Sequence, residues 1–257
     1  ARRTLTPQLR TDCGATSVVL VDLGNGRARL GGSALAQVYD EIGDTAPDLE
    51  NTEALQAFFA VTRALHRADE LLAYHDRSDG GLAATLCEMI FAGRCGLEVH
   101  TQDSSSPALS LLEFLFNEEL GVVIQVRSDQ AEHVIGCYER AGVSARRIGQ
   151  VTNEATFKVV CNGTTVIDET RVDLQRAWSE TSYRIQYLRD NSECAQQEYD
   201  ALLQPQDPGL SVRLSFPWPA PQVSAAVANT RPRVAILREQ GVNGQVEMAA
   251  AFVAAGF

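Results

Sequence analysis

The segment His75-Asp76-Arg77-Ser78-Asp79-Gly80-Gly81 concentrates residue types that hold phosphate and a hard cation. Residues 71–74 are apolar and lead into it as a short strand. The apolar run 82–92 follows as a helix. A strand-to-helix turn aims backbone N–H groups and the positive end of the helix dipole at one point, which suits phosphate. Gly80 and Gly81 permit positive φ and close backbone approach. Asp76 and Asp79 offer hard oxygen ligands for Mg²⁺, which takes one or two carboxylates together with nucleotide phosphates. Ser78 can hydrogen-bond a phosphate oxygen. The same residues also make an ordinary helix start, with Ser78 or Asp79 as N-cap and Asp76 and Arg77 as a surface ion pair. Spacing alone does not separate the two, because short Asp/Gly motifs recur by chance.

The chain that must position this loop has 257 residues, enough for one large domain or two smaller ones. Its formal net charge of −11 disfavours nucleic acid and anionic membrane surfaces as partners. Lys158 is the sole lysine, so a local cluster that holds an anion must be built from Arg. The cysteines Cys13, Cys87, Cys95, Cys137, Cys161 and Cys194 include no C-x-x-C pair, which excludes a zinc ribbon or thioredoxin motif. Without a signal-like segment, they read as thiols in a reducing, cytoplasmic setting. No apolar run approaches the roughly 20 residues needed to span a bilayer.

Patterning along the chain indicates an α+β domain over residues 1–170. Strands are expected at 18–22, 71–74, 98–100 and 122–126, and helices at 34–40, 50–70, 82–92, 107–116 and 129–141, with 145–151 leading on to the next element. Residues 156–168 read as a hairpin closed by Asn162-Gly163, the preferred type I′ pair. A helical, then Pro-rich, linker is expected over 171–230; six of the nine prolines fall between 204 and 232. Residues 233–237 read as a buried strand and the apolar run after them as a helix reaching its C-cap at Gly256. One strand and one helix cannot bury a core, so 231–257 are expected to open a second, truncated domain. The first residues, Ala1-Arg2-Arg3-Thr4, carry no initiator Met, and the whole is expected to be a piece of a larger enzyme.

Several stretches together resemble the large, single-chain phosphoribosylformylglycinamidine synthase family. They are residues 74–82 (YHDRSDGGL), 115–121 (LFNEELG), 4–9 (TLTPQL), 35–39 (LAQVY) and 188–191 (LRDN). The most specific is 231–243 (RPRVAILREQGVN), which resembles the opening strand and loop of the family's glutaminase domain. The resemblance covers essentially the whole chain in collinear order. It implies a domain like the C-terminal domain of aminoimidazole ribonucleotide synthetase. It also implies an ATP-dependent C–N ligase converting formylglycinamide ribonucleotide to the amidine with ammonia from glutamine, in purine biosynthesis.

By the same resemblance Asp76 matches a magnesium ligand and Ser78 a nucleotide contact, with ATP or ADP as the nucleotide. Further ligands would come from neighbouring domains of the same protein, so the chain alone is expected to bind metal-nucleotide weakly and to be inactive. Whether the loop serves a reacting or a structural nucleotide stays open. Gly31, Gly32 and Ser33 sit where the family has a glycine-containing phosphate loop, although a glycine pair before a helix is more often a plain turn. Gly241 and Asn243 lie where an amide helps form the oxyanion hole; the glutaminase Cys, His and Glu would lie beyond residue 257. Asn117, Glu118 and Glu119 face either the cleft or simply a helix end, with the second preferred. His75 has no assigned role, and His66, His100 and His133 read as ordinary solvated or core residues. Two other classes fit less of the chain. A thiamine-phosphate or selenophosphate kinase-like protein would share an Asp-x-Ser-Asp-Gly pattern but lack the tail at 231–257. A non-catalytic interaction module would bind no nucleotide.

Overall fold

The computed structural model describes residues 4–101, 111–204, 212–217, 232–241 and 243–257. The chain divides into two compact units, Ala1–Asp207 and Pro208–Phe257.

The first unit is built on one mixed sheet. Its strands are β1 (Thr16–Asp22), β2 (Ala73–Asp76), β3 (Gly96–Thr101), β4 (Gly121–Arg127), β5 (Ser144–Thr152), β6 (Thr156–Cys161) and β7 (Thr164–Thr170). They lie in the order β2-β4-β1-β5-β3-β6-β7. Every pairing is antiparallel except β3 with β6. The helices are α1 (Ala34–Val38), α2 (Thr52–Arg67), α3 (Gly81–Gly93), α4 (Leu111–Phe116), α5 (Ala131–Arg140), α6 (Arg171–Arg189) and α7 (Ser192–Ala201). The architecture is the α+β class expected from the pattern.

The central strands are apolar on both faces because helices cover both. Val18 and Leu20 of β1 pack with Leu82, Leu86, Met89 and Ile90 of α3. Val19 and Val21 face the other way, onto Phe58 and Leu65 of α2 and Val134, Ile135 and Tyr138 of α5. Each fully buried aliphatic side chain contributes about 1.5–3 kcal/mol. One polar side chain interrupts this core with its partners supplied. Gln125 of β4 donates through Nε2 to the Arg10 carbonyl and Thr16 Oγ1, and its Oε1 accepts from the Arg10 N–H. That satisfied amide fastens the segment before β1 to the sheet.

Two boundaries differ from the sequence pattern in a way that matters for the loop. β2 begins at Ala73 and runs through His75 and Asp76, which pair with Val123 and Val122 of β4. The ladder to β4, not apolarity, sets where β2 ends, so the motif starts inside the sheet. Of the helix expected at 107–116, the described part is α4; residues 107–110 lie outside the described residues. The hairpin is as expected, with Asn162 at φ 51° and Gly163 at φ 80°.

α6 and α7 belong to the first unit. Thr170 caps α6 by accepting from the Asp173 N–H, and Asn191 caps α7 by accepting from the Cys194 N–H. Trp178 of α6 stacks at a tilt on Phe91 of α3, centroids 6.0 Å apart, and donates its indole N–H to Glu88. Much of the Pro-rich stretch lies outside the described residues.

The second unit contains α8 (Gln245–Ala254), closed by Gly256 at φ 96°. The strand expected at 233–237 is not formed. A strand exists through its ladder, and no described residue pairs with this segment. Instead Val234 and Ile236 line a groove with Ala249, Phe252 and Val253 of α8. Gly241, at φ 86°, and Asn243 are exposed in the turn before α8.

Candidate functional site

The loop between β2 and α3 is held by its buried member and exposes three others. Arg77 is not a surface residue paired with Asp76; its side chain is 1% exposed. Its Nε donates to the Glu119 carbonyl at 2.6 Å and its Nη2 to the Leu120 carbonyl at 3.1 Å. The guanidinium also meets Asp22 at the end of β1, at 3.2 Å. The backbone N–H of Arg77 donates to the Gly121 carbonyl. A planar, five-donor head suits this cluster of carbonyls and carboxylate. Arg77 therefore locks the loop to the ends of β1 and β4.

With Arg77 turned inward, Asp76, Ser78 and Asp79 are exposed. Asp76 Oδ1 accepts from the Tyr74 hydroxyl at 2.7 Å. Burial, and then the hydrogen bond to Asp76, push the Tyr74 phenol well above its ordinary pKa, so it keeps its proton and donates. Ser78 and Asp79 have no side-chain hydrogen bond among the described residues. Among the described residues no cluster of three His, Cys, Asp or Glu could hold a metal ion. The loop thus presents one oriented carboxylate, a second beside it and a hydroxyl. That hard-oxygen set fits Mg²⁺ delivered with phosphate, which needs one or two carboxylates, and does not fit a closed all-protein cage.

The glycines shape the loop; they do not leave their amides open. Gly80 and Gly81 adopt φ 83° and 65°. The Gly80 N–H donates to Glu118 Oε1 at 2.8 Å, and the Gly81 N–H to the Ser78 carbonyl at 2.9 Å. A Cβ on Gly81 would lie 2.7 Å from the Asn117 carbonyl oxygen. The second candidate loop is also closed on itself. The Gly31 N–H donates to the Thr45 carbonyl and the Gly32 N–H to the Ile42 carbonyl. Ser33 is buried; its hydroxyl donates to the Leu30 carbonyl and accepts from the Ala36 N–H as the cap of α1. The two loops do converge, because Glu118 Oε1 also accepts from the Ala34 N–H at 2.8 Å.

The three polar residues before β4 have three separate jobs. Asn117 is buried; it donates to the Glu113 carbonyl and accepts from the Glu119 N–H. Glu119 is fully buried and pairs with Arg29, Nε to Oε1 at 2.6 Å. Arg29 in turn pairs with Glu50. Nothing in the spacing signals this pair, which joins residues 90 apart. Burial alone would raise the Glu119 carboxyl, but hydrogen bonds from Arg29 and the charge of Arg77 outweigh it and hold it below its ordinary 4.5. A depressed folded-state pKa contributes stability that is present above 4.5 and lost as pH falls through the lowered value. Melting temperatures of Glu119→Gln should therefore be low at neutral pH but fall less steeply on acidification than those of wild type. Parallel acid limbs would exclude Glu119 as the responsible group.

His75 gains a structural role. Its Nε2 meets Glu88 Oε2 at 2.9 Å, and Glu88 Oε1 accepts from Trp178. The pair ties β2, α3 and α6 into one block behind the loop. His100 and His133 sit beside Glu98 and Glu70 at the surface.

The loop Asp-x-Ser-Asp-Gly-Gly thus joins β2 to α3 in an α+β domain whose mixed sheet is covered by helices on both faces. Residues 17–162 match the family model for the AIR synthase related protein, C-terminal domain, and the chain belongs to that family. Residues 231–257 match the model of a CobB/CobQ-like glutamine amidotransferase domain. Among solved structures, the chain is similar to Thermotoga maritima phosphoribosylformylglycinamidine synthase II. The TM-score is 0.52 at 12% identity, covering 67% of this chain and 28% of that one. It is likewise similar to T. maritima PurL complexed with ATP, with TM-score 0.53 and 12% identity over 67% of this chain and 27% of that. For T. maritima PurL complexed with FGAR the values are 0.53 and 16%, over 66% and 29%. At these identities the likeness shows a shared fold. The chain spans less than a third of the length of these solved chains.

Proposed function

We propose that this chain is part of an ATP- and glutamine-dependent ligase that converts formylglycinamide ribonucleotide to formylglycinamidine ribonucleotide. The observation that carries the proposal is the order of two matches in one chain: an AIR synthase related C-terminal domain, then the start of a glutamine amidotransferase domain. A kinase-like member of the wider superfamily would account for the first match and leave the second without a purpose. The domain division that goes with this proposal is a synthase domain over 1–170, a segment over 171–230 whose helices α6 and α7 pack in the first unit ahead of the Pro-rich stretch, and a glutaminase start from 231.

In this proposal the loop at 75–81 supplies half of a metal-nucleotide site. Mg²⁺, when bound, would supply charge that offsets the phosphate charge. Asp76 would hold it, oriented by the Tyr74 hydroxyl, and Ser78 would donate to a phosphate oxygen. Arg77 keeps the loop seated while Asp76 and Ser78 reach outward. The circuit through Gly31, Gly32 and Ser33 would support the nucleotide by position, since its amides are committed to Thr45 and Ile42. Gly241 and Asn243 would contribute to an oxyanion-stabilising loop, where donors must face developing charge.

Calorimetric titration of Mg-ADP into the intact protein tests the metal-nucleotide half of this scheme. Asp76→Ala should weaken binding by at least roughly tenfold, and Tyr74→Phe should weaken it by about the same order through lost orientation. Undiminished binding in Asp76→Ala would remove Asp76 from the site. Formation of the amidine by the intact protein from formylglycinamide ribonucleotide, ATP and ammonia tests the reaction, and its absence would overturn the assignment of substrate.

A further inference from the structure

Glu118 connects two segments that lie far apart in sequence and that both belong to the proposed nucleotide site. One oxygen, Oε1, accepts from the Ala34 N–H and from the Gly80 N–H, each at 2.8 Å. Ala34 is the first residue of α1, directly after the Gly31-Gly32-Ser33 turn. Gly80 is the left-handed residue from which α3 begins. The hydrogen bonds that otherwise hold each segment run elsewhere. The glycine turn is fastened to 42–45 through Gly31 and Gly32, and the β2–α3 loop to β1 and β4 through Arg77. Among the described residues, Glu118 is a side chain whose one oxygen accepts from both segments.

Its flanking residues explain how it can do this. Asn117 and Glu119 are buried and locked, by the Glu113 carbonyl and by Arg29 respectively. The backbone that carries Glu118 is therefore fixed on both sides, while Glu118 itself is only half-buried. A Cβ on Gly81 would collide with the backbone of Phe116 and Asn117, so the loop lies directly against that backbone. A carboxylate acceptor makes stronger bonds to N–H groups than a neutral one.

We propose that Glu118 is a positioning residue: it sets the separation of the 31–33 turn and the 77–80 loop, and thereby the affinity of the site for nucleotide, without touching the nucleotide or its metal. This deepens the nucleotide reading of the loop and rests on it. Glu118→Ala removes both bonds, whereas Glu118→Gln keeps a carbonyl oxygen that can accept from the same two N–H groups.

The test measures amide hydrogen exchange and Mg-ADP binding in the intact protein. In Glu118→Ala, exchange at Ala34 and Gly80 should accelerate together. Mg-ADP affinity should fall roughly tenfold or more, the range seen when outer supports of a site are lost. Glu118→Gln should bind close to wild type. Three results would overturn the proposal with the nucleotide reading intact. One is Glu118→Ala binding as tightly as wild type. Another is Glu118→Gln losing as much as Glu118→Ala, which would make Glu118 a charged ligand. The third is acceleration at one amide without the other. Failure of wild type itself to bind Mg-ADP would overturn the nucleotide reading, and the proposal with it.

Discussion

Replacing Arg77 with methionine is expected to cost about 3–5 kcal/mol of stability, the range for removing one member of a buried charged network. The side chain is 1% exposed and serves three acceptors at once: the Glu119 and Leu120 carbonyls and the Asp22 carboxylate. Methionine fills much of the volume and supplies none of the donors. Leu120 keeps a second donor in the Leu23 N–H, and Asp22 keeps the Gly24 N–H, so neither is wholly orphaned. The Glu119 carbonyl loses its bond from Nε, and a buried acceptor left without a donor costs about 1–3 kcal/mol. The rest comes from the loop itself, which loses its anchor to β1 and β4. Denaturant unfolding should show a lower midpoint with an unchanged slope. A loss under about 1 kcal/mol would mean that Arg77 is a surface residue after all. A lysine in its place should rescue little, because an ammonium cannot span the same set of acceptors.

Gly81→Ala should be the next most damaging change in the loop, at about 2–4 kcal/mol from two separable causes. The first is conformational. Gly81 sits at φ 65°, and an L side chain there costs about 1–2 kcal/mol. The second is steric. The added Cβ would stand 2.7 Å from the Asn117 carbonyl oxygen and 2.7 Å from the Phe116 carbonyl carbon. Those are backbone atoms, which cannot swing aside as a side-chain tip could. Gly142→Ala separates the causes, since Gly142 has φ 76° with nothing within 4 Å of its would-be Cβ. It should show the conformational cost alone. Equal losses for the two variants would show that the 116–117 backbone can move. Relief of the clash in Gly81→Ala would push residues 116–117 away from α3. It would disturb Glu118, so nucleotide binding should suffer as well as stability.

The elements around the site were largely legible in the sequence, and for local reasons. Apolar periodicity marks α2, α3 and α5, and Asn162-Gly163 requires the turn it makes. The strand-loop-helix frame of the motif was legible too, as was the glycine requirement at 80 and 81. The inward course of Arg77 was not. A polar residue in an Asp-Arg-Ser-Asp run reads as exposed, and only the carbonyls of residues 119 and 120, just before β4, and the Asp22 carboxylate at the end of β1 give it a reason to turn in. Glu119 was illegible for the same reason, because its cation lies 90 residues away. The expected strand at 233–237 shows the opposite error: an apolar run has strand character, but no described neighbour pairs with it.

By itself the sequence determined most of the helices, strands and turns of the first unit, which faces are apolar, and which short run has oxygen ligands beside glycines. These properties follow from side-chain spacing and backbone preference, which act within a few residues. Tertiary structure alone decided that β2 and β1 flank β4, that Arg77 supports the loop while Asp76 and Ser78 face outward, and that Glu118 joins the glycine turn to it. Those are matters of which distant backbone groups meet a buried charge. A buried charge takes whatever partners the fold brings within hydrogen-bonding distance.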